Sequence, residues 1–120
     1  MGLTYNQMVV DIEADAGVDR LFHALADATR RDILMQAIQR EQSVSALARR
    51  YDMSFAAVQK HVAVLERAKL VTKQRHGREQ IVHGNTPTLH RATELLDRYE
   101  QLWIARVSQI AEILGEEGKP

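Results

Sequence analysis

Two serines eleven positions apart, Ser43 and Ser54, each stand directly before a stretch with helical apolar spacing, and only a few residues separate the two stretches. Val44, Leu47, Ala48 and Tyr51 follow the first at i, i+3, i+4 and i+7, while Val58, Val62 and Leu65 form the stripe of the second. A serine hydroxyl accepts a hydrogen bond from an unpaired amide of a helix's first turn, so both serines are N-cap candidates. Two short helices joined by so tight a turn have helix-turn-helix geometry. Ala48 is small where the helices should cross, and Met53 can plug the corner between them. Asp52 sits at the reversal and tolerates left-handed backbone better than most residues other than glycine.

The outward face of the second helix carries Phe55, Ala56, Gln59, Lys60, Ala63 and Arg67. A helix that enters the major groove needs small residues for close approach and a few side chains that match base edges. Gln pairs with adenine, and Lys or Arg with guanine or phosphate. Gln59 and Lys60 are therefore the candidate base readers, and Arg67, farther along, a candidate phosphate contact. The stretch Leu70 to Gly84 then reads as a β-hairpin, with Val71 and Thr72 on one strand, a His76-Gly77 turn, and Ile81 and Val82 on the other. Lys73, Arg75 and Arg78 gather near its tip. Such a basic ribbon beside a helix-turn-helix suits phosphates or the adjacent minor groove.

These pieces resemble the ArsR (arsenic-repressor-like) family of bacterial winged-helix repressors. The resemblance is carried by the run from Leu25 to Leu34 (LADATRRDIL), by Ser54 to Leu65 with Lys60-His61, and by Ala68 to Val71 followed by Gly77-Arg78-Glu79. Ala28, Gln59 and Lys69 depart from the family's proline, serine and helix-ending glycine. The resemblance implies a mainly α fold with a small β-hairpin: a winged helix-turn-helix of five or six helices with a two-stranded wing. It also implies a sequence-specific repressor, a homodimer on an inverted-repeat operator in double-stranded DNA. The implied interface begins at Ser54 and includes His61, which matches the family's histidine and is expected to bond backbone or phosphate.

At 120 residues the chain is expected to be one domain, with the DNA-binding core over about residues 18–84. Net charge is zero, which by itself argues against a polyanionic partner. Its distribution reverses that inference. Residues 40–80 hold nine Lys and Arg against four acids, so this segment is +5 and the remainder −5. A basic patch on an acidic body attracts DNA and orients it.

Upstream, residues 3–14 offer a short helix with Met8 and Ile12 on its apolar face, and Gly17 is expected to break the pattern before a helix that begins near Val18. Leu21, Phe22 and Leu25 should face inward from it, followed by Ile33, Leu34, Ala37 and Ile38 from the next. Arg30 and Arg31 could pair with Asp27 or Asp32 or meet phosphate. Downstream, Thr86 is the expected cap and Pro87 the first residue of a last helix running to Leu114 and ending at Gly115. Leu89, Leu96, Trp103 and Ile110 recur every seven residues on it, with Tyr99 beside them. This helix is too long for the small body to cover, so its apolar seam needs a partner. In the family the terminal helices make the homodimer, which implies an interface of Met8, Ile12, Leu89, Leu96, Tyr99, Trp103 and Ile110.

There is no cysteine, which excludes disulfides, thiol redox sensing and thiolate metal sites. Only His90 and Glu94 share helical i, i+4 spacing, too few ligands for zinc, so neither metal nor cofactor is expected. No phosphate-binding glycine loop or nucleophile elbow is present, so the chain does not read as an enzyme. The absence of a signal sequence or a membrane-spanning apolar run makes it cytoplasmic by expectation. Phe22, Tyr99 and Trp103 form the one aromatic neighbourhood where an apolar effector could bind, although a core seam is the plainer use. A winged helix can also serve as a protein-interaction module without specific DNA binding. The cationic wing beside Gln59 and Lys60 is what that reading leaves without a purpose.

Overall fold

The computed structural model describes residues 16–117, as five helices and a three-stranded antiparallel sheet. The order is α1 (16–25), α2 (Ala28–Gln39), β1 (Gln42–Ser43), α3 (Val44–Ala48), α4 (Phe55–Arg67), β2 (Val71–His76), β3 (Glu79–Gly84) and α5 (Thr86–Glu117). This is a winged helix-turn-helix, mainly helical, in which α3 and α4 are the motif and β2–β3 the wing. The helix expected over residues 3–14, with Met8 and Ile12, lies outside the described residues.

Both serine caps form as the spacing predicts. Ser43 Oγ accepts from the Ala46 amide at 3.0 Å and Ser54 Oγ from the Ala57 amide at 3.1 Å. Ser43 has a second role. With Gln42 it forms a third strand, paired with Val82 and Ile81 of β3, so the sheet order is β1-β3-β2. Two residues are too few for a strand to show in periodicity, and the wing is therefore anchored at its base on a side that the sequence does not reveal.

One core unites the elements. Leu21 and Ala24 of α1, Ile33, Leu34 and Ala37 of α2, Val44 and Leu47 of α3, and Val58, Val62 and Leu65 of α4 are buried with Leu70, Val71 and Val82. Phe22, Leu25, Ala48, Tyr51 and Met53 pack against that core from its edge. Ile38 does not join it and is 43% exposed. It lies over Gly84 at the end of β3, where an added Cβ would come within 2.7 Å of Ile38 Cγ1 and 3.1 Å of its Cα. Glycine at 84 is thus required by the close approach of α2 to the sheet.

The exit from α4 corrects the expected location of left-handed backbone. Asp52 does not adopt it; Lys69 does, with φ +63°. The Lys69 amide donates to Glu66 O at 2.9 Å and the Leu70 amide to Leu65 O at 3.0 Å. These paired bonds are a Schellman closure, in which the orphan carbonyls of the last turn are satisfied and the apolar residue just beyond packs back on the helix. Leu70 and Leu65 are both fully buried, so burial and two hydrogen bonds oppose the left-handed penalty of about 1–2 kcal/mol for a residue bearing a Cβ.

Two helix ends also differ from expectation. Gly17 lies within α1, and α5 starts at Thr86 and continues through Gly115 to Glu117. Gly115 does not take positive φ, so it terminates nothing. The cap position belongs to Asn85. Its amide nitrogen Nδ2 donates to Lys69 O at 2.8 Å and to Thr88 Oγ1 at 3.1 Å, and its backbone N–H donates to Leu70 O at 2.8 Å. Asn85 thereby joins the start of α5 to the exit of α4.

Candidate nucleic-acid interface

The exposed face of α4 presents Phe55, Ala56, Gln59 and Lys60, while Val58, Val62 and Leu65 hold the opposite face in the core. Ala63 is half-buried. A short polar network supports the helix from behind. Asp27 caps α2 through a 3.0 Å bond from the Arg30 amide. His61 Nδ1 lies 3.4 Å from Arg30 Nη1 and 4.0 Å from Asp27 Oδ2. A guanidinium can only donate, so the Arg30 contact requires an unprotonated Nδ1 and leaves the ring proton on Nε2. The Arg30 amide above all holds the Asp27 carboxyl below its usual range; burial opposes it, and the Arg30 charge adds a smaller lowering.

Arg30 and Arg31 have a common role that sequence alone left open. Arg30 Nε donates to Ala24 O at 2.8 Å and its Nη2 to His23 O at 2.9 Å, while Arg31 Nη1 donates to Leu25 O at 2.8 Å. Three consecutive carbonyls at the C-terminus of α1 are thus capped by cations, where the helix dipole favours positive charge. The position of two arginines one turn beyond a helix end is the signal that could have identified this. Tyr51, just after α3, donates its hydroxyl to Asp32 and ties the motif's turn to α2. Burial first, and the Asp32 carboxylate next, push that hydroxyl up to about 12.

The wing turns through Gly77 and Arg78 rather than His76 and Gly77, with His76 paired to Glu79 and Gly77 at φ +61°. Glycine at the first position of a two-residue turn matches the twist of the strands. The three wing cations are disposed differently. Lys73 and Arg75 pair with Val82 and Gln80, so they share the sheet face on which Val71 and Val82 are buried. Lys73 Nζ reaches Glu66 Oε1 of α4 at 3.5 Å, an interaction without a sequence signal because the partners meet only in the fold. Arg75 Nε donates back to Gly77 O at 3.2 Å and stiffens the tip. Arg78 is exposed in the turn and forms no ion pair among the described residues. Arg67, at the opposite end of α4 from Phe55, stands beside Arg20 and His23 of α1.

On α5, Leu89 packs on the core and Ala92 is buried, but Leu96, Tyr99, Trp103 and Ile110 are exposed, Trp103 to 66%. Leu102, Ile104, Val107, Ile113 and Leu114 are also exposed and widen the apolar surface. Phe22 sits at the core edge, so the three aromatics do not form one cluster within the core. His90 Nε2 and Glu94 Oε1 are 3.1 Å apart, and no group of three potential metal ligands gathers among the described residues. No helix among them is long and apolar enough to cross a membrane.

Residues 25–74 match the helix-turn-helix domain family. The chain is 32% identical over 100 residues to the HTH-type transcriptional regulator Rv2034 of Mycobacterium tuberculosis, covering 83% of this chain and 91% of that protein. Its structure is similar to that of an ArsR-like transcriptional regulator from Rhodococcus sp. RHA1, with TM-score 0.76 and 30% identity over 88% of this chain and 96% of that one. It also shares the fold of the winged helix-turn-helix domain of Mb0332 from Mycobacterium bovis, described as homodimeric, with TM-score 0.63, 20% identity and coverage of 100% and 94%.

Proposed function

The chain belongs to the ArsR family of winged helix-turn-helix transcriptional regulators, and from that premise we propose that it is a homodimeric repressor of an inverted-repeat operator. The observation that carries the reading is the exposed face of α4. Gln59 and Lys60 are one residue apart, both exposed, on a helix whose other side is locked into the core and whose N-terminus is capped by Ser54. Phe55 and Ala56 open the same helix, where a thymine methyl or a sugar can be met by apolar contact. Arg78 at the wing tip is the cation best placed for phosphate or the minor groove, and Lys73 and Arg75 add positive potential while bracing the wing. His61, with Nδ1 turned to Arg30, keeps an Nε2–H donor for a phosphate oxygen.

A second copy completes the arrangement. The apolar surface of α5 beyond Leu95 has nothing to cover it among the described residues, and two α5 helices packed about a two-fold axis would bury it. Two α4 helices then enter successive major grooves about 34 Å apart. Repression follows by occlusion of the promoter.

The test is fluorescence anisotropy with a duplex taken from upstream of the protein's own gene, against a random duplex of equal length, at two salt concentrations. A strong preference for the upstream duplex is expected. Gln59→Ala and Lys60→Ala should reduce that preference, whereas Arg78→Ala should weaken binding to both duplexes and flatten the salt dependence. Equal losses on both duplexes for all three variants would overturn this division of labour.

A further inference from the structure

A half-open pocket of about 240 Å³ lies between α1 and the last turn of α4, lined by Arg20, His23, Val64, Arg67 and Ala68. Two guanidiniums and an imidazole stand around it, and Val64 and Ala68 give it an apolar floor. No carboxylate lines it among the described residues. Glu66, the nearest acid in sequence to Arg67, is engaged with Lys73 on the wing side. Neither Arg20 nor Arg67 makes an ion pair among the described residues, in contrast to Arg30, whose guanidinium is used on α1 carbonyls.

The position argues against a groove contact. Arg67 is twelve residues beyond Phe55, about 18 Å along the helix axis at 1.5 Å per residue, so it is remote from the end that carries Phe55 and Ala56. Arginine pairs bidentately with carboxylates, and two arginines on separate helices can grip one such group from both sides. A purely inorganic anion would leave the apolar floor unused. The volume, below the roughly 300–1,000 Å³ of sites for drug-sized ligands, limits the occupant to a small molecule.

We infer that this pocket binds a small amphipathic organic carboxylate, its head group held between Arg20 and Arg67 with His23 at the rim and its apolar body on Val64 and Ala68. Such a molecule bridges α1 and the helix that bears Gln59 and Lys60. Its binding does not depend on the DNA reading and is measured without DNA.

The experiment is isothermal titration calorimetry of the full chain with octanoate as the probe, and with octan-1-ol and inorganic phosphate as comparators. Octanoate should bind at least about tenfold more tightly than either comparator, and Arg20→Gln or Arg67→Gln should each weaken it by about tenfold, the value of one charge-assisted hydrogen bond. Both side chains are exposed, so circular dichroism should show both variants folded. Equal binding of octan-1-ol would mean adsorption to the apolar face of α5 and would overturn the inference. So would octanoate affinity unchanged in both variants. If the same variants instead flatten the salt dependence of duplex binding, the cluster is a DNA-phosphate contact and the inference fails.

Discussion

Both ends of α5 carry apolar side chains, and their surroundings are opposite. Over its first two turns Leu89 packs on the core and Ala92 is buried, whereas beyond Leu95 every described side chain is exposed, including Leu102 at 69% and Trp103 at 66%. The residues are of the same kind; what differs is whether the body of the domain reaches them. An apolar stripe reports a surface that needs cover, and only the three-dimensional extent of the neighbouring elements says whether the chain covers it itself. The near end is thus a part of the fold, and in the proposed dimer the far end is a part of the assembly.

Substitutions can separate these roles, beginning with the largest effect. Trp103→Glu should convert the dimer to monomer in sedimentation velocity and reduce affinity for an inverted repeat by at least about 100-fold, since the two half-sites are no longer linked. Its circular dichroism should stay native because Trp103 touches no part of the core, and a surviving dimer would refute the role given to the far end. Gly84→Ala should do the reverse. The new Cβ meets Ile38 side chain and backbone at 2.7–3.1 Å, so urea denaturation should show a loss of about 1–3 kcal/mol, with subunit association intact.

Tyr51→Phe should cost about 1.5 kcal/mol, the lower end for a hydrogen bond to a charged group because the site is half-exposed. It also has a pH signature. An unfolded tyrosine ionises near 10 and the folded Tyr51 near 12, so this contribution is full below pH 10 and is lost as pH rises through about 12. The phenylalanine variant should lose that slope in denaturation midpoints recorded across the window. Lys69→Gly is the smallest change and has the opposite sign. Relief of the left-handed penalty should stabilise by about 0.5–1 kcal/mol, after the extra freedom of glycine in the unfolded chain is offset. A destabilised variant would show that the lysine stem contributes packing.

What could be read from sequence divides along physical lines. Ser43 and Ser54 were legible because capping is local: donor and acceptor are three residues apart. The stripes of α4 were legible because periodicity survives without knowledge of the partner. The third strand was hidden, since Gln42 and Ser43 acquire strand geometry only through pairing with β3. The roles of Arg30 and Arg31 were half-legible; the dipole argument was available, but an arginine's reach allows several acceptors. Lys69 shows the limit of residue preference: Asp52 was the better candidate for left-handed backbone, yet the helix had to close at Lys69 for Leu70 to be buried. In the proposed interface, the exposure of Gln59 and Lys60 followed from the α4 stripe, whereas the engagement of Lys73 with Glu66 did not.

The anchoring of α5 has a mechanical consequence. The helix extends about 37 Å beyond Ala92 at 1.5 Å per residue, and near its base it is held by Leu89, Ala92 and the bonds of Asn85 to Lys69 and Leu70. It is a lever with a short, well-gripped end. By simple trigonometry a tilt of about 10° in the part beyond Ala92 moves the far tip by roughly 6.5 Å, about the rise of two base pairs. In the proposed dimer, a side chain assigned no contact with DNA therefore sets the angle from which the distance between two reading heads is measured.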